Sequence, residues 1–303
     1  LETKDDFVSK VRAEYAMLRE NNEEQKIDFV PLKEARKNSF KIDWDNFIPY
    51  VPNQPGRTVI KNIAVRSVIP YIDWKFFFHG WNLAAKFGSI ATVDDDTESR
   101  NQWINRFREE ERDKAREAIK LYDDAVSLLN ILVQDEVNCI HAVFGIYEAN
   151  SDGDTIISEG IEIPMLRQQK RNSKNEYLCL SDFIAPVSTG KTDYIAPFAV
   201  TAGDGGKYLK QFQADNDEYF AMLMKSLLER LAEGGTELIH QQIRKEYWGY
   251  APDEEMSTAE MLATRYQGIR PAVGYPSIPD QTINFVLDQF LDIKDMDVSF
   301  TEN

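Results

Sequence analysis

The sequence predicts an α+β fold, with a mostly antiparallel central sheet covered by long helices and not a Rossmann arrangement. Three observations carry this. Strand-like runs cluster in the middle of the chain, around IHAVFGIYEANSDGDTIIS. Long helical patterns flank them, at about 105–134 and 215–248. The strand–helix alternation that builds a parallel sheet is missing. At 303 residues the chain can bury a large core, and a single domain over 1–303 is expected.

The elements follow in order. Asp5 and Asp6 precede Phe7, Val8, Val11, Tyr15 and Leu18, the spacing of an amphipathic helix that ends near NNEEQK. Residues 27–57 mix Pro, Asn and aromatics without periodicity and read as an extended arm. SVIPYIDWKFFFHGWNLAAKFGSI, at 67–90, is the most aromatic stretch and reads as helical after Pro70, with Asp73 and His79 as polar intruders. Ala115, Ala118, Ile119, Tyr122, Ala125, Val126, Leu129 and Leu132 fall at helical spacing. A hairpin with its turn at Asn150–Gly153 follows, then a third strand in GIEIPML. Tyr177–Ile184 and Tyr194–Thr201 are further strand candidates. Helices are expected over Asp215–Trp248, about Thr258–Tyr266, and along Ile283, Val286, Leu287, Phe290 and Leu291.

Net charge is −16, which disfavours nucleic acid and anionic membrane surfaces and favours cationic ligands or basic partners. Cys139 and Cys179 lie between Asn or Leu and apolar residues and read as free, buried thiols. No apolar run approaches the ~20 residues of a membrane helix and no signal peptide is evident, so a cytoplasmic setting is expected. Leu1 is not a natural start, so a fragment of a longer protein is expected.

Candidate chemistry is sparse. His79, His141 and His240 are far apart and show no metal-ligand spacing, and His141 reads as a half-buried strand histidine. No G-x-S-x-G elbow occurs. TAGDGG, at 201–206, lacks both dinucleotide spacing and a Walker lysine, which argues against a free-standing Rossmann methyltransferase. Gly234-Gly235 interrupts a long helical pattern at a cost of about 2 kcal/mol relative to alanine, so a close approach by another element or a ligand must offset it. Glu229, Glu233 and Glu237 form one i, i+4 row, either a solvated face or one that points Glu233 at a cation. Asp73, amid Tyr71, Trp74, Phe76, Phe77 and Phe78, reads as a break in the pattern, a helix cap or a ligand carboxylate. In YQGIRPAVGYPSIPDQ, Pro271 biases Arg270 toward extended backbone, Gly274 permits positive φ, and Pro276 restricts Tyr275. A rigid loop then either presents a guanidinium to a carboxylate or phosphate, or is a packed connector with a surface arginine.

GIRPAVGYPSIPDQT, WGYAPDE, YIDWKFFF, LSDFIAP and GKTDYIAPFAVTAG together resemble, in order, the C-terminal activation domain of cobalamin-dependent methionine synthase. The resemblance runs from about Asp5 to the end, and Arg270, Gly274 and Tyr275 form its densest motif. It implies S-adenosylmethionine binding. It also implies reductive methylation of cob(II)alamin to methylcobalamin, with the cobalamin held by another domain of the same enzyme and the electron supplied by flavodoxin or a similar flavoprotein. Methylcobalamin would then serve methionine synthesis from homocysteine. Asp73, Glu233, Arg270, Ala272, Gly274 and Tyr275 are the implied ligand-binding residues, with no catalytic or metal-binding residue in this chain. Arg270 would hold the α-carboxylate. Asp73 and Glu233 would answer the ammonium or other donors, and Ala272 to Tyr275 would line the adenosine. Thr264 departs from a carboxylate common in the family, with Glu260 one turn earlier. Family members also continue past the position of Asn303, where part of the pocket wall is expected. The alternative is a capping or docking module for a cobalamin domain, with ligand binding weakened or lost.

Overall fold

In a computed structural model, which describes residues 4–24, 28–137, 139–203, 205 and 207–300, strand β1 (Gly56–Ile63) runs antiparallel to β2 (Ile140–Asp152). Gly56 lies opposite Ile146 and Ile63 opposite Ile140. The register slips between Ile60 and Ile63, where Asn62 takes a left-handed φ of 61°. The displaced Asn62 N–H donates to Nδ1 of His141, so that half-buried histidine is paired as its pattern predicts. At its far end β2 pairs with β3 (Thr155–Ser158), which pairs with β4 (Ile161–Pro164). Glu159 and Gly160 close the second hairpin with φ of 50° and 76°, the two positive values that a type I′ turn requires. β5 (Asp193–Ile195) and β6 (Phe198–Thr201) also join β2, with Phe144 opposite Phe198.

The described residues also form ten α-helices: α1 (Lys4–Glu24), α2 (Leu32–Lys37), α3 (Val65–Val68), α4 (Trp74–Gly80), α5 (Thr97–Asn105), α6 (Arg112–Gln134), α7 (Lys207–Ala214), α8 (Glu218–Gln242), α9 (Thr258–Leu262) and α10 (Ile283–Leu291). The α+β class and its mostly antiparallel sheet are therefore observed. No helix among the described residues is long and apolar enough to cross a membrane.

Contacts divide the chain into two compact units. One comprises 49–148, 193–271 and 281–303, and the other 1–48, 149–192 and 272–280. In the first, α6 buries Ala115, Ala118, Leu121, Ala125, Leu128, Leu129 and Leu132. α8 buries Leu223, Met224, Leu227 and Leu231, each such leucine contributing about 1.5–3 kcal/mol. The aromatic stretch supplies Phe77, Phe78 and Phe87 to the same core. It is helical but broken: a 3-10 turn at Ile69–Tyr71 precedes α4, and a second spans Ala85–Thr92.

The second unit buries Val30, Ala35 and Tyr177 as one cluster, and also Ala149, Ile156, Ile163, Cys179 and Ala185. Beside these lies Arg167, whose side chain is 3% exposed. Its guanidinium donates to Asp154 (2.8 Å), to both carboxylate oxygens of Asp182 (2.7 and 2.8 Å) and to the Tyr177 carbonyl (2.8 Å). Burial alone would lower the Arg167 pKa, but the bonds to Asp182 and Asp154 outweigh it and raise it. The apolar residues of α1 that predict an amphipathic helix stay open: Phe7, Tyr15 and Leu18 are exposed.

Several expectations are corrected. The arm at 27–57 contains α2 and the start of β1, since Leu32–Lys37 is a short helix former run that begins after Pro31. Tyr177–Ile184 is not a strand; Asp182 accepts from the Cys179 N–H (2.9 Å) and pulls Leu180–Phe183 into a 3-10 turn. The first hairpin turns at Gly153, beyond Asn150, because Asn150 and Ser151 remain paired with Ile157 and Ile156. Neither cysteine forms a disulfide; Cys179 is buried as expected, whereas Cys139, between β2 and the turn that precedes it, is half-buried. Of the TAGDGG run, Asp204 and Gly206 lie outside the described residues.

Because Arg167 is the buried cation shared by Asp154 and Asp182, with the exposed Arg36 also reaching Asp154, Arg167→Met should destabilise the protein by about 3–5 kcal/mol, read as a lower urea midpoint.

Candidate functional site

The site is organised by α8. Asp217 caps its N-terminus by accepting from the Phe220 N–H (3.1 Å). The paired glycines explain how two other elements reach the helix. A Cβ on Gly234 would sit 3.0 Å from Val68 Cγ1 and 3.3 Å from the Val68 carbonyl oxygen. A Cβ on Gly235 would sit 2.9 Å from Val200 Cγ1 and 3.4 Å from Ile140 Cγ2. One glycine therefore admits the turn that leads to Asp73, and its neighbour admits the sheet. The propensity cost is offset by packing on both sides.

Asp73 is the N-cap of α4, its carboxylate accepting from the Lys75 N–H (2.8 Å). Trp74 behind it packs edge-on against Phe77 and Tyr122. Tyr71, before it, donates to Gln241 Oε1 on α8 (2.7 Å). Glu233 faces this cap. Lost hydration raises its pKa; Arg230, paired with it at 2.6 Å, opposes this, and the charges of Asp73 and Glu229 raise it further. With 60% of the Glu233 side chain exposed, solvent screens these effects. Asp73 and Glu233 thus lie within electrostatic reach of each other.

Arg270 meets a different residue. Its Nη2 donates to Oε1 of Glu237, one turn along α8 from Glu233. Glu237 is the member of the glutamate row that turns inward: its side chain is 11% exposed, against 72% for Glu229. The pair is incomplete. Nη1 of Arg270 and Oε2 of Glu237 are buried without a hydrogen bond among the described residues. Each such atom costs about 1–3 kcal/mol until something pairs with it. Sequence reading placed Glu237 in the acidic row but gave it no role, and its i, i+4 step from Glu233 is shared by the exposed Glu229, so spacing alone does not single it out.

Behind Arg270 stands a buried polar cluster. α8 ends in a π-helical turn at Ile243–Tyr247, where the Trp248 N–H reaches the Ile243 carbonyl (2.8 Å). Arg244 in that turn is fully buried and makes a fork of bonds to Glu254 (2.8 and 2.5 Å). Its remaining arm lies 2.7 Å from His240 Nδ1, and its guanidinium stacks 4.4 Å from the Tyr266 ring. Nδ1 must accept, so His240 is the Nε2–H tautomer. Burial, then the charges of Arg244 and Arg270, push its pKa down to about 3.

The Thr264 position is structural here. It ends α9 with a left-handed φ of 55°, closed by Thr264 N–H to Met261 and Arg265 N–H to Glu260. Glu260 is spent on a capping box with Ser257, so it does not stand in for the missing carboxylate.

Ala272, Gly274 and Tyr275 group with the second unit. There the Gly274 N–H donates to Ile278 (2.8 Å) and the Ile278 N–H to Tyr275 (2.9 Å), closing a small loop. Gly274 has φ of 90°, the conformation its residue type predicts, and Tyr275 is 66% exposed.

A family model described as vitamin B12 dependent methionine synthase, activation domain, matches residues 64–303. The chain belongs to this family. A crystal structure of the MetH reactivation domain bound to AdoHcy is similar at a TM-score of 0.78 and 33% identity, over 90% of this chain and 82% of that one.

Two outcomes follow from this packing. Gly234→Ala and Gly235→Ala should each lower the melting temperature, because overpacking costs about 1–3 kcal/mol and outweighs roughly 1 kcal/mol of helix propensity. Gly80→Ala, where a Cβ meets nothing within 4 Å, should not lower it. His240 contributes stability in its neutral form, fully present above its ordinary pKa of 6.5 and lost as pH falls toward 3. Stability should therefore fall by up to about 1.4 kcal/mol per pH unit below pH 6.5. Urea titrations of wild type and His240→Gln should show that limb only in the former.

Proposed function

We propose that this chain binds S-adenosylmethionine and supports reductive methylation of oxidised cobalamin, thereby reactivating methionine synthase. The whole of 1–303 would serve as one activation domain of a larger multidomain enzyme in the cytoplasm. The observation that carries this reading is the half-paired Arg270 guanidinium, in a chain similar to a domain whose crystal structure is described as bound to AdoHcy.

In the balanced reaction, one electron from flavodoxin or a similar flavoprotein and one methyl group from the sulfonium convert cob(II)alamin to methylcobalamin and release S-adenosylhomocysteine. The cobalamin belongs to another domain of the enzyme. The chain's own task is to bind and orient. Arg270 Nη1 offers a donor to the α-carboxylate. Asp73 and Glu233 place negative charge where ammonium or hydroxyl donors can be answered. Ala272, Gly274 and Tyr275 line the adenosine in this reading, Tyr275 being exposed enough to stack. No proton needs to be moved in methyl transfer, so no general base is required of this chain.

The second reading, a docking module with weakened ligand binding, draws on two observations: Glu237 already engages Arg270, and Thr264 replaces a family carboxylate. Calorimetry separates them. S-adenosylmethionine should bind the wild-type chain, and Arg270→Ala should weaken it by roughly a hundredfold, the worth of a desolvated charge pair. Absence of binding heat to wild type, with the fold intact by circular dichroism, favours the docking module.

A further inference from the structure

We propose that Glu237 is itself a ligand-binding residue, and that Arg270 and Glu237 together form a receptor for the zwitterionic head of an α-amino acid. The inference rests on the preceding reading that the ligand is an S-adenosyl amino acid. It adds a residue that neither the motif arginine nor the Asp73–Glu233 pair supplies.

The pair is joined on one side only. Nη2 of Arg270 and Oε1 of Glu237 satisfy each other, while Nη1 and Oε2 are both buried and unpaired among the described residues. Those two atoms have opposite demands: Nη1 needs an acceptor and Oε2 needs a donor. A simple anion such as phosphate would satisfy the first and repel the second. A simple cation would do the reverse. A group that carries a carboxylate and an ammonium on one carbon satisfies both and closes a ring of alternating charge.

The electrostatics agree with this choice. The pair is nearly neutral as a whole, and a zwitterionic head is neutral too. Binding therefore places no net charge in a buried location, which would be opposed. Glu237 is fixed for the purpose. It lies on α8 two residues after Gly235, where the helix is pressed against Val200 and Ile140, so its backbone has no freedom to retreat. Glu233 keeps its partner Arg230 and its neighbour Asp73, and is left for donors elsewhere on the ligand.

The test uses the full chain and two ligands, S-adenosylhomocysteine and its desamino analogue, in which hydrogen replaces the α-ammonium. Calorimetry should show wild type preferring the amino form by roughly tenfold to a hundredfold, the worth of a charge-assisted bond. Glu237→Gln keeps the shape but loses the charge, and should reduce that preference to about threefold or less. If wild type binds both ligands equally, the proposal is overturned without recourse to any variant. If Glu237→Gln weakens both ligands alike and keeps the preference, Glu237 only positions Arg270 and the proposal is likewise overturned. Should Glu237→Gln fail to fold, Glu237→Asp, which withdraws the carboxylate by one methylene, should show the same loss to a smaller degree; an undiminished preference there overturns the proposal. If wild type binds neither S-adenosylmethionine nor S-adenosylhomocysteine, the functional reading of the previous subsection fails, an outcome distinct from a failure of the Glu237 assignment alone.

Discussion

Everything at the site depends on the closeness with which α8 is packed at Gly234 and Gly235. A helix ordinarily keeps its neighbours at 8–10 Å between axes because side chains intervene. Two adjacent glycines point in directions about 100° apart, so each opens a different face. One face takes the Val68–Tyr71 segment and the other takes Val200 and Ile140 from the sheet. The consequence is positional. Asp73 is carried to within electrostatic reach of Glu233, and Glu237 is carried inward to Arg270. A helix with ordinary side chains at 234 and 235 would keep all four charged residues but separate them.

The two units are stabilised by different means. In the larger one, apolar burial by α4, α6 and α8 does most of the work, and charges are tolerated in the interior only as a matched set. Arg244 shows how strict that matching is: with zero exposure, it has Glu254, His240 and the Tyr266 ring as partners. In the smaller unit a modest apolar interior, with Val30, Ile156, Ile163 and Tyr177 in it, is joined by the buried centre of Arg167 with its two aspartates and one carbonyl. Such a centre is directional, since each bond fixes an angle as well as a distance.

Much of the fold was legible in the sequence because it rests on periodicity. α10 runs from Ile283 to Leu291 as its apolar spacing predicts, and α8 and the strands around Gly153 follow theirs. The misses share a cause. β1 was hidden because GRTVIKNI alternates weakly and is a strand only through pairing with β2. The strand expected at Tyr177–Ile184 failed because one side chain, Asp182, competes locally for the backbone N–H of Cys179. At the site, the glycine pair announced a close approach but not its direction. Arg270 was legible from its prolines and its motif. Its partner Glu237 was not, because a row of glutamates on a helix looks the same in sequence whether it faces water or protein.

The π-helical turn at Ile243–Tyr247 has a consequence for how this sequence can change. It accommodates one residue more than the α-helical pitch allows, so the helix absorbs an insertion that a loop would otherwise carry. Removing a single residue there would preserve composition, charge and apolar pattern almost untouched. The turn would then relax to α-helical pitch. Arg244 sits inside that turn, so the change would fall directly on the geometry of its fork to Glu254 and its contact with His240. Substitutions along α8 can thus be graded and absorbed, whereas a change in length at its end is all or nothing.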